Sequence, residues 1–374
     1  MNKFDDIRPF YDAEIPAAMQ RIADSPYFPL LASYVYPRQD VEHVRNILRE
    51  FRTIRDFQLE VMRCVNEQVI DRSITQFSYS GIEHLDPQRR YLFVSNHRDI
   101  MLDACLLQYI LYQNGHETSE ITFGANLMSS PLVIDIGKSN KMFRVERGGS
   151  PREFYKSSLH LSEYIRHCIT EKNQSVWIAQ RNGRTKDGID RTDQGIIKMF
   201  CMSHPDDNVR AILDLHIIPI AISYEWESCD ILKAVELYKS RTEVYVKKTG
   251  EDLNSILTGI IQPKGRVNIA ILPEFTEAEL APLAGVGSNE FNRSFAQMMD
   301  KRICKAYQLT PNNFIAHDLL SGTTTYIDRY TSEQRATFLA YMEKLKEYDV
   351  PEPDVLRNIF LGIYANPVDS KNEE

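Results

Sequence analysis

The chain has 374 residues, 43% hydrophobic and 26% charged, with 44 Lys and Arg against 52 Asp and Glu for a net charge of −8. Such a length exceeds one average domain and buries a sizeable core, while the acidic balance excludes the broad phosphate-neutralising surface of a nucleic-acid binder. The six cysteines lie far apart at no metal-ligand spacing, which argues for reduced thiols rather than a disulfide framework or a zinc site.

The opening stretch MNKFDDIRPFYDAEIP lacks the apolar core of a signal peptide, and no run of about 18 apolar residues occurs, so no spanning helix is expected. From Asp40 to Ile70 the apolar positions Val44, Ile47, Leu48, Phe51, Ile54, Val61 and Val65 recur mostly at three- and four-residue steps. That spacing predicts one long amphipathic helix with Asp40 as its N-cap, and residues 1–72 are expected to form a helical N-terminal module.

The texture then changes. SITQFSYSG and YLFVSN read as strands, the second buried and delivering the chain to His97, and Ile100 to Tyr112 reads as a helix apolar on nearly every side. Strand-like MFRVER, a helix with Phe154, Leu161, Ile165 and Ile169 on one face, strand-like SVWIAQ and a helix from Gln194 to Met202 follow. HIIPIAISYE and GRVNIAILPEF complete the strands. Alternation of this kind predicts an α/β fold with a mixed sheet covered by helices on both faces, over residues 73–275. EFNRSFAQMMDKRICKAY, NNFIAHDLL and TSEQRATFLAYMEKLKEY predict a helical C-terminal region over 276–374, the last opening on a Thr331/Gln334 capping box. The tail DSKNEE reads as disordered.

The stretch FVSNHRDIMLDACLL carries the first chemical signal. Its HRD is shared with protein kinase catalytic loops, but a kinase needs Asn five residues after the Asp, a DFG downstream and a Gly-rich loop upstream. Here that position is Ala104, and neither other motif occurs.

VSNHRDIMLD instead resembles the first block of the glycerophosphate acyltransferase superfamily, in which Asn-His ends a buried strand and an Asp follows in the first helical turn. GKSNKMFRVER is similar to the second block, WIAQRNGRTKDG to the third and IIPIAISYE to the fourth, in the family's order over roughly Ile74 to Leu320. The Tyr-Glu ending and the AYQLTPNNFIAHDLL segment resemble the glycerol-3-phosphate branch more than the lysophosphatidate branch. Two departures stand out. Five residues separate His97 from Asp103 where the family has four, and RNG stands where the third block has Glu-Gly before its Arg.

The resemblance implies O-acyl transfer from an acyl thioester, acyl-CoA or acyl carrier protein, to glycerol 3-phosphate or a lysolipid hydroxyl, with no metal or organic cofactor. An imidazole with an ordinary pKa of about 6.5 suits the base such a reaction needs, which makes His97 the candidate. Its orienting carboxylate is Asp103, provided His97 precedes the helix, or Asp99, whose other reading is the cap of that helix. Arg147 and Arg184 hold the second- and third-block positions that would bind a phosphate, with Arg144, Gly183 and Lys186 beside them. LMSSPLVIDIG is a candidate acyl-chain groove with plain core as its alternative. The substrates imply a cytoplasmic protein touching the inner membrane surface reversibly, through the N-terminal module or the groove rim. Two other readings stay open: a catalytically silent lipid-binding or scaffold relative, and an acyltransferase on a phosphate-free amino-acid lipid.

Overall fold

Seven strands form one sheet in the computed structural model, which describes residues 3–128, 130–146, 148–248 and 250–372. They are β1 (Ile74–Ser80), β2 (Leu92–Ser95), β3 (Glu120–Gly124), β4 (Met142–Val145), β5 (Val176–Ala179), β6 (Ile217–Tyr224) and β7 (Gly265–Ile271), in the order β1-β7-β6-β2-β5-β3-β4. From β6 through β4 all neighbours are parallel; β7 runs antiparallel to β6, and β1 runs parallel to β7. The sheet is therefore mixed, as the alternation predicts. β2, β5 and β6 are buried at every position, which is why LFVS, VWIA and IIPIAISY show little polar alternation.

Both faces of the sheet are covered. The helices Pro151–Thr170, Gln194–Cys201 and Ser288–Ala306 pack one face through Tyr164, Ile165, Phe200, Phe291 and Phe295. Leu102–Gln113 and Arg63–Ser73 pack the other through Leu106, Leu107, Ile110 and Val69. Each such fully buried side chain contributes roughly 1.5–3 kcal/mol as an upper figure.

Ahead of the sheet, the helices Ile15–Ala23, Phe28–Val35 and Val41–Arg49 close on their own apolar cluster around Met19, Ile22, Phe28, Leu48 and Phe57. The single helix expected from Asp40 to Ile70 is broken. Asp40 does cap Val41–Arg49 through His43 N at 2.9 Å, but the helix stops at Glu50 and a new one starts from a Thr53/Asp56 capping box. A five-residue π turn, Gln58–Met62, precedes Arg63–Ser73. The apolar spacing ran on across the break, and the cap signal inside it was the deciding one.

At the other end the helices Pro311–Ser321, Ser332–Met342 and Pro353–Asn372 pack around Phe338, Phe360 and Tyr364, with Asp230–Lys239 against them. The expected disordered tail is corrected as far as Asn372, where the helix ends; Glu373 and Glu374 lie outside the described residues. The stretch LMSSPLVIDIG holds the helix Pro131–Ser139. Its Leu132 and Ile136 pack on the N-terminal cluster and its Val133 on the sheet. Among the described residues no helix is long and apolar enough to cross a membrane.

Candidate functional site

The carboxyl ends of β2 to β6 and the amino ends of β1 and β7 share one edge of the sheet, the edge at which open α/β sheets bind ligands. His97 lies there, two residues past β2 and five before the helix Leu102–Gln113. That placement accounts for the extra residue between His97 and Asp103. The intervening loop curls so that Asp103, in the first turn of the helix, reaches back to His97 Nδ1 at 2.9 Å.

Asp103 is 1% exposed, yet it accepts on both oxygens. Oδ2 takes His97 Nδ1 and the backbone N–H groups of Arg98 at 2.6 Å and Asp99 at 2.9 Å. Oδ1 takes the Tyr224 hydroxyl at 2.8 Å. Burial and the neighbouring Asp103 hold the Tyr224 phenol well above its ordinary pKa, so it stays a donor. A carboxylate bonded in this way is fixed in position and fixes the imidazole with Nδ1 protonated.

The other ring nitrogen, Nε2, takes no partner among the described residues. His97 itself is 8% exposed, with its ring edge-on to Trp177 at 5.9 Å. A lone pair held this way on a preset tautomer can accept a proton from a group in front of it.

Asp99 does not meet the imidazole. Its Oδ1 accepts Met101 N and Leu102 N, both at 2.8 Å, and its Oδ2 accepts the Ser228 hydroxyl. Asp99 thus braces the backbone at the helix start from two residues ahead of the N-cap Met101, and the carboxylate on His97 is Asp103. Cys105 stands two residues further on; burial, with Asp99 and Asp103 near it, pushes its thiol up to about 12, which keeps it from acting as a neutral-pH nucleophile.

The third-block turn is strapped to the same spot, because Thr185 N donates to His97 O at 2.8 Å. Thr185 Oγ1 and Ile189 N both donate to Asp187 Oδ1, at 3.0 and 3.1 Å, which closes the turn. Gly188, at φ +80°, lies against Ile363 of the C-terminal helix so closely that a Cβ would stand 2.1 Å from its carbonyl oxygen. Asn366 Nδ2 donates to Asp187 O at 2.8 Å. Gly183 also has positive φ, +79°, but open space beside it.

The expected phosphate donors are differently placed. Arg184 is half-buried, and its Nη1 is shielded without a partner among the described residues. Lys186 pairs with Glu236, and the exposed Arg144 pairs with Glu146 at 2.6 Å. Arg147 lies outside the described residues.

Beneath the site sits a buried charged network that sequence reasoning missed. Arg98 donates to Asp190 at 2.6 Å, to Gly188 O at 3.1 Å and to Glu227 at 3.2 Å, over the Tyr307 ring at 4.8 Å. Burial opposes its charge, but Asp190, Tyr307 and Glu227 override that and hold its pKa well above the ordinary value. Lys233 Nζ donates to Arg98 O at 2.8 Å and to Glu227 at 2.6 Å. Asn96 bonds both the N–H and the C=O of Ile222 and reaches Asp190 at 2.9 Å. Two cations against two carboxylates leave no uncompensated buried charge, and removing one member would. The Arg of the HRD triplet and the Asn before its His were the available signals. Among the described residues, no group of three or more His, Cys, Asp or Glu converges as metal ligands would.

Residues 76–223 match a protein-family model described as Acyltransferase. No curated protein matches the chain significantly in sequence. Among solved structures, the chain is similar to the 1-acyl-sn-glycerophosphate (LPA) acyltransferase PlsC from Thermotoga maritima at 12% identity and a TM-score of 0.35, over 78% of this chain and 94% of that one.

Proposed function

We propose, from the premise that residues 76–223 are an acyltransferase-family domain, that the protein moves a fatty acyl group from a thioester to a hydroxyl acceptor with His97 as general base. The observation that carries the mechanism is His97 with Nδ1 on Asp103 at 2.9 Å and Nε2 left to meet a substrate. Nε2 takes the acceptor's hydroxyl proton as the oxygen attacks the thioester carbon. The C–O bond forms and the C–S bond breaks from the tetrahedral intermediate. The leaving thiolate then collects the proton from the imidazolium, which Asp103 stabilises meanwhile. Neither a metal nor an organic cofactor enters these steps.

The finer reading follows the sequence blocks. The acceptor is glycerol 3-phosphate or a lysolipid in phospholipid synthesis, the donor is acyl-CoA or acyl carrier protein, and the enzyme works at the cytoplasmic membrane face. Arg184 is the phosphate ligand this reading favours, since its half-buried guanidinium has a nitrogen unpartnered among the described residues. A second reading has one specific observation behind it. Lys186 and Arg144 are each engaged by a carboxylate, Glu236 and Glu146, which suits an acceptor without a phosphate, such as an amino-acid lipid.

The test is release of free thiol from an acyl thioester, with and without each acceptor. Thiol release that depends on the acceptor and falls about 10²–10⁴-fold in His97→Ala, as the loss of a general base predicts, supports the proposal. Activity within about tenfold of the parent removes the general-base mechanism, and no acceptor-dependent release in the parent leaves a silent lipid-binding relative. Arg184→Ala should raise KM for phosphorylated acceptors only; an equal loss with both acceptor classes favours the second reading.

A further inference from the structure

The helix Glu251–Ile261 is inverted in polarity. Its buried positions are the small residues Ser255 and Gly259, four apart and so on one face. On the opposite face Leu253, Leu257 and Ile261, at i, i+4 and i+8, are 55%, 52% and 68% exposed. The segment just before it adds Val244 at 90% and Val246 at 79%, and the Tyr245 hydroxyl, donating to Glu251 at 2.6 Å, ties that segment to the helix's first turn. Isolated exposed aliphatics need no explanation, but a contiguous stripe of them marks an interaction surface.

The small face explains why the stripe is where it is. A Cβ on Gly259 would stand 2.3 Å from Asp99 Oδ2 and 3.2 Å from Ser228 Oγ, and Cys229 Sγ lies 3.2 Å from Ser255 O. The helix thus lies directly against Asp99, in the loop between His97 and the helix that carries Asp103. Its aliphatic stripe lies on the opposite face, turned away from that loop to solvent.

Charge distinguishes the partners. Residues 239–248 hold Lys239, Arg241, Lys247 and Lys248 against the single Glu243, in a chain of net −8. Of the two acids that follow, Glu251 accepts from Tyr245 and Lys248 N, and Asp252 accepts from Lys247 and Asn126. A bilayer asks for a wide aliphatic stripe with cations at its margin, which is what this surface offers.

We propose that the helix Glu251–Ile261, with the basic segment before it, docks the protein on an anionic lipid bilayer and presents the His97 edge to acyl chains held there. The proposal rests on the acyltransferase reading for its purpose but not for its test. The full chain is floated with vesicles of phosphatidylcholine and with vesicles containing about one third phosphatidylglycerol. The parent should float with both, more with the anionic set. The triple variant Leu253→Ser, Leu257→Ser, Ile261→Ser should lose about tenfold or more of that binding, while its melting and its turnover of a water-soluble short-chain acceptor stay at the parent's level.

A parent that floats with neither set, or a triple variant that floats as well as the parent, overturns the proposal. So does a variant impaired only with a carrier-protein-bound donor, or one whose sole change is loss of a dimer, since each assigns the stripe to a protein. Because flotation needs no catalysis, normal docking without thioester turnover would remove the acyltransferase reading and leave the docking surface standing. Turnover without docking would do the reverse. Leu257→Trp supplies the direct reading, a blue-shifted emission quenched by brominated lipid on binding; unchanged emission counts against the stripe.

Discussion

Three N–H groups converge on one oxygen of Asp103 and a phenol on the other, so a change there alters both the charge and the lattice of donors that aims His97. Asp103→Asn keeps the shape but offers an amide nitrogen where an acceptor is needed, and turns the imidazole toward the wrong tautomer. A loss of about 10²–10⁴-fold in kcat is expected, with KM little changed. Asp99→Asn should stay within about threefold, because Asn satisfies a helix start nearly as well as Asp. The opposite ranking in thiol-release kinetics would make Asp99 the working carboxylate. Tyr224→Phe falls between them: it removes one bond to Asp103 Oδ1 and leaves three on Oδ2, at a cost of about 1–3 kcal/mol for the buried acceptor. The His97–Asp103 pairing was legible in the sequence as one of two choices, since a loop before the helix lets a residue six positions on reach back. Arg98 was not legible as a network residue. Its partners Asp190, Glu227 and Tyr307 lie 92 to 209 positions away in the chain, and nothing local announces them.

Elements announce themselves to the degree that their own residues carry the pattern. β2, β5 and β6 were readable because an interior strand is buried at every position and almost wholly apolar, and β7 through its Val267, Ile269, Ala270 and Ile271. β3 was not, because it opens on Glu120, a buried carboxylate that the Tyr164 hydroxyl meets at 2.6 Å and Lys172 also engages. The helix Pro353–Asn372 hid behind Pro351 and Pro353 at its start, Pro367 inside it and a polar end. Yet that helix braces the third-block turn, and two glycines of the turn separate bracing from substrate contact. Gly188→Ala puts a Cβ into the Ile363 carbonyl and strains a φ of +80°. It should lower stability by about 1–3 kcal/mol and drag Thr185 off His97 O, so melting temperature and turnover fall together. Gly183→Ala has the same φ penalty without the clash, and should cost about 1 kcal/mol or less while acting mainly on acceptor KM. Equal melting shifts in the two variants would mean that the C-terminal helix does not hold the turn.

At the scale of the whole molecule, one buried lysine joins the helix Arg63–Ser73, the sheet and the site. Lys264, just ahead of β7, is fully buried, and its backbone N–H donates to Ser73 O at 2.6 Å, at the end of the helix Arg63–Ser73. Its Nζ donates to Ser73 Oγ at 3.1 Å, Ile260 O at 3.4 Å and Gln262 O at 2.8 Å. Among the described residues no carboxylate pairs with it directly. Burial therefore dominates and pulls its pKa from the ordinary 10.5 down to about 8, against an upward pull from Asp99 and Cys229. The unfolded chain keeps this lysine protonated up to its ordinary value, so between about 8 and 10.5 the unfolded state binds more protons than the folded one. Stability must then rise with pH across that window. The penalty is fully present below about 8 and is relieved above it, by on the order of 3 kcal/mol over the whole interval. Lys264→Met keeps the aliphatic length and removes the titrating group, so it should be the more stable protein at pH 7 if the three freed acceptors tolerate it. Whatever its absolute stability, its advantage over the parent should shrink as the pH is raised from 7 to 10. Denaturant midpoints measured on both proteins through that range decide the matter, because titrations elsewhere are common to the pair and drop out of the difference. A difference independent of pH would mean that Lys264 keeps its ordinary pKa in the folded protein, and that the junction of helix, sheet and site holds a charge it does not resist.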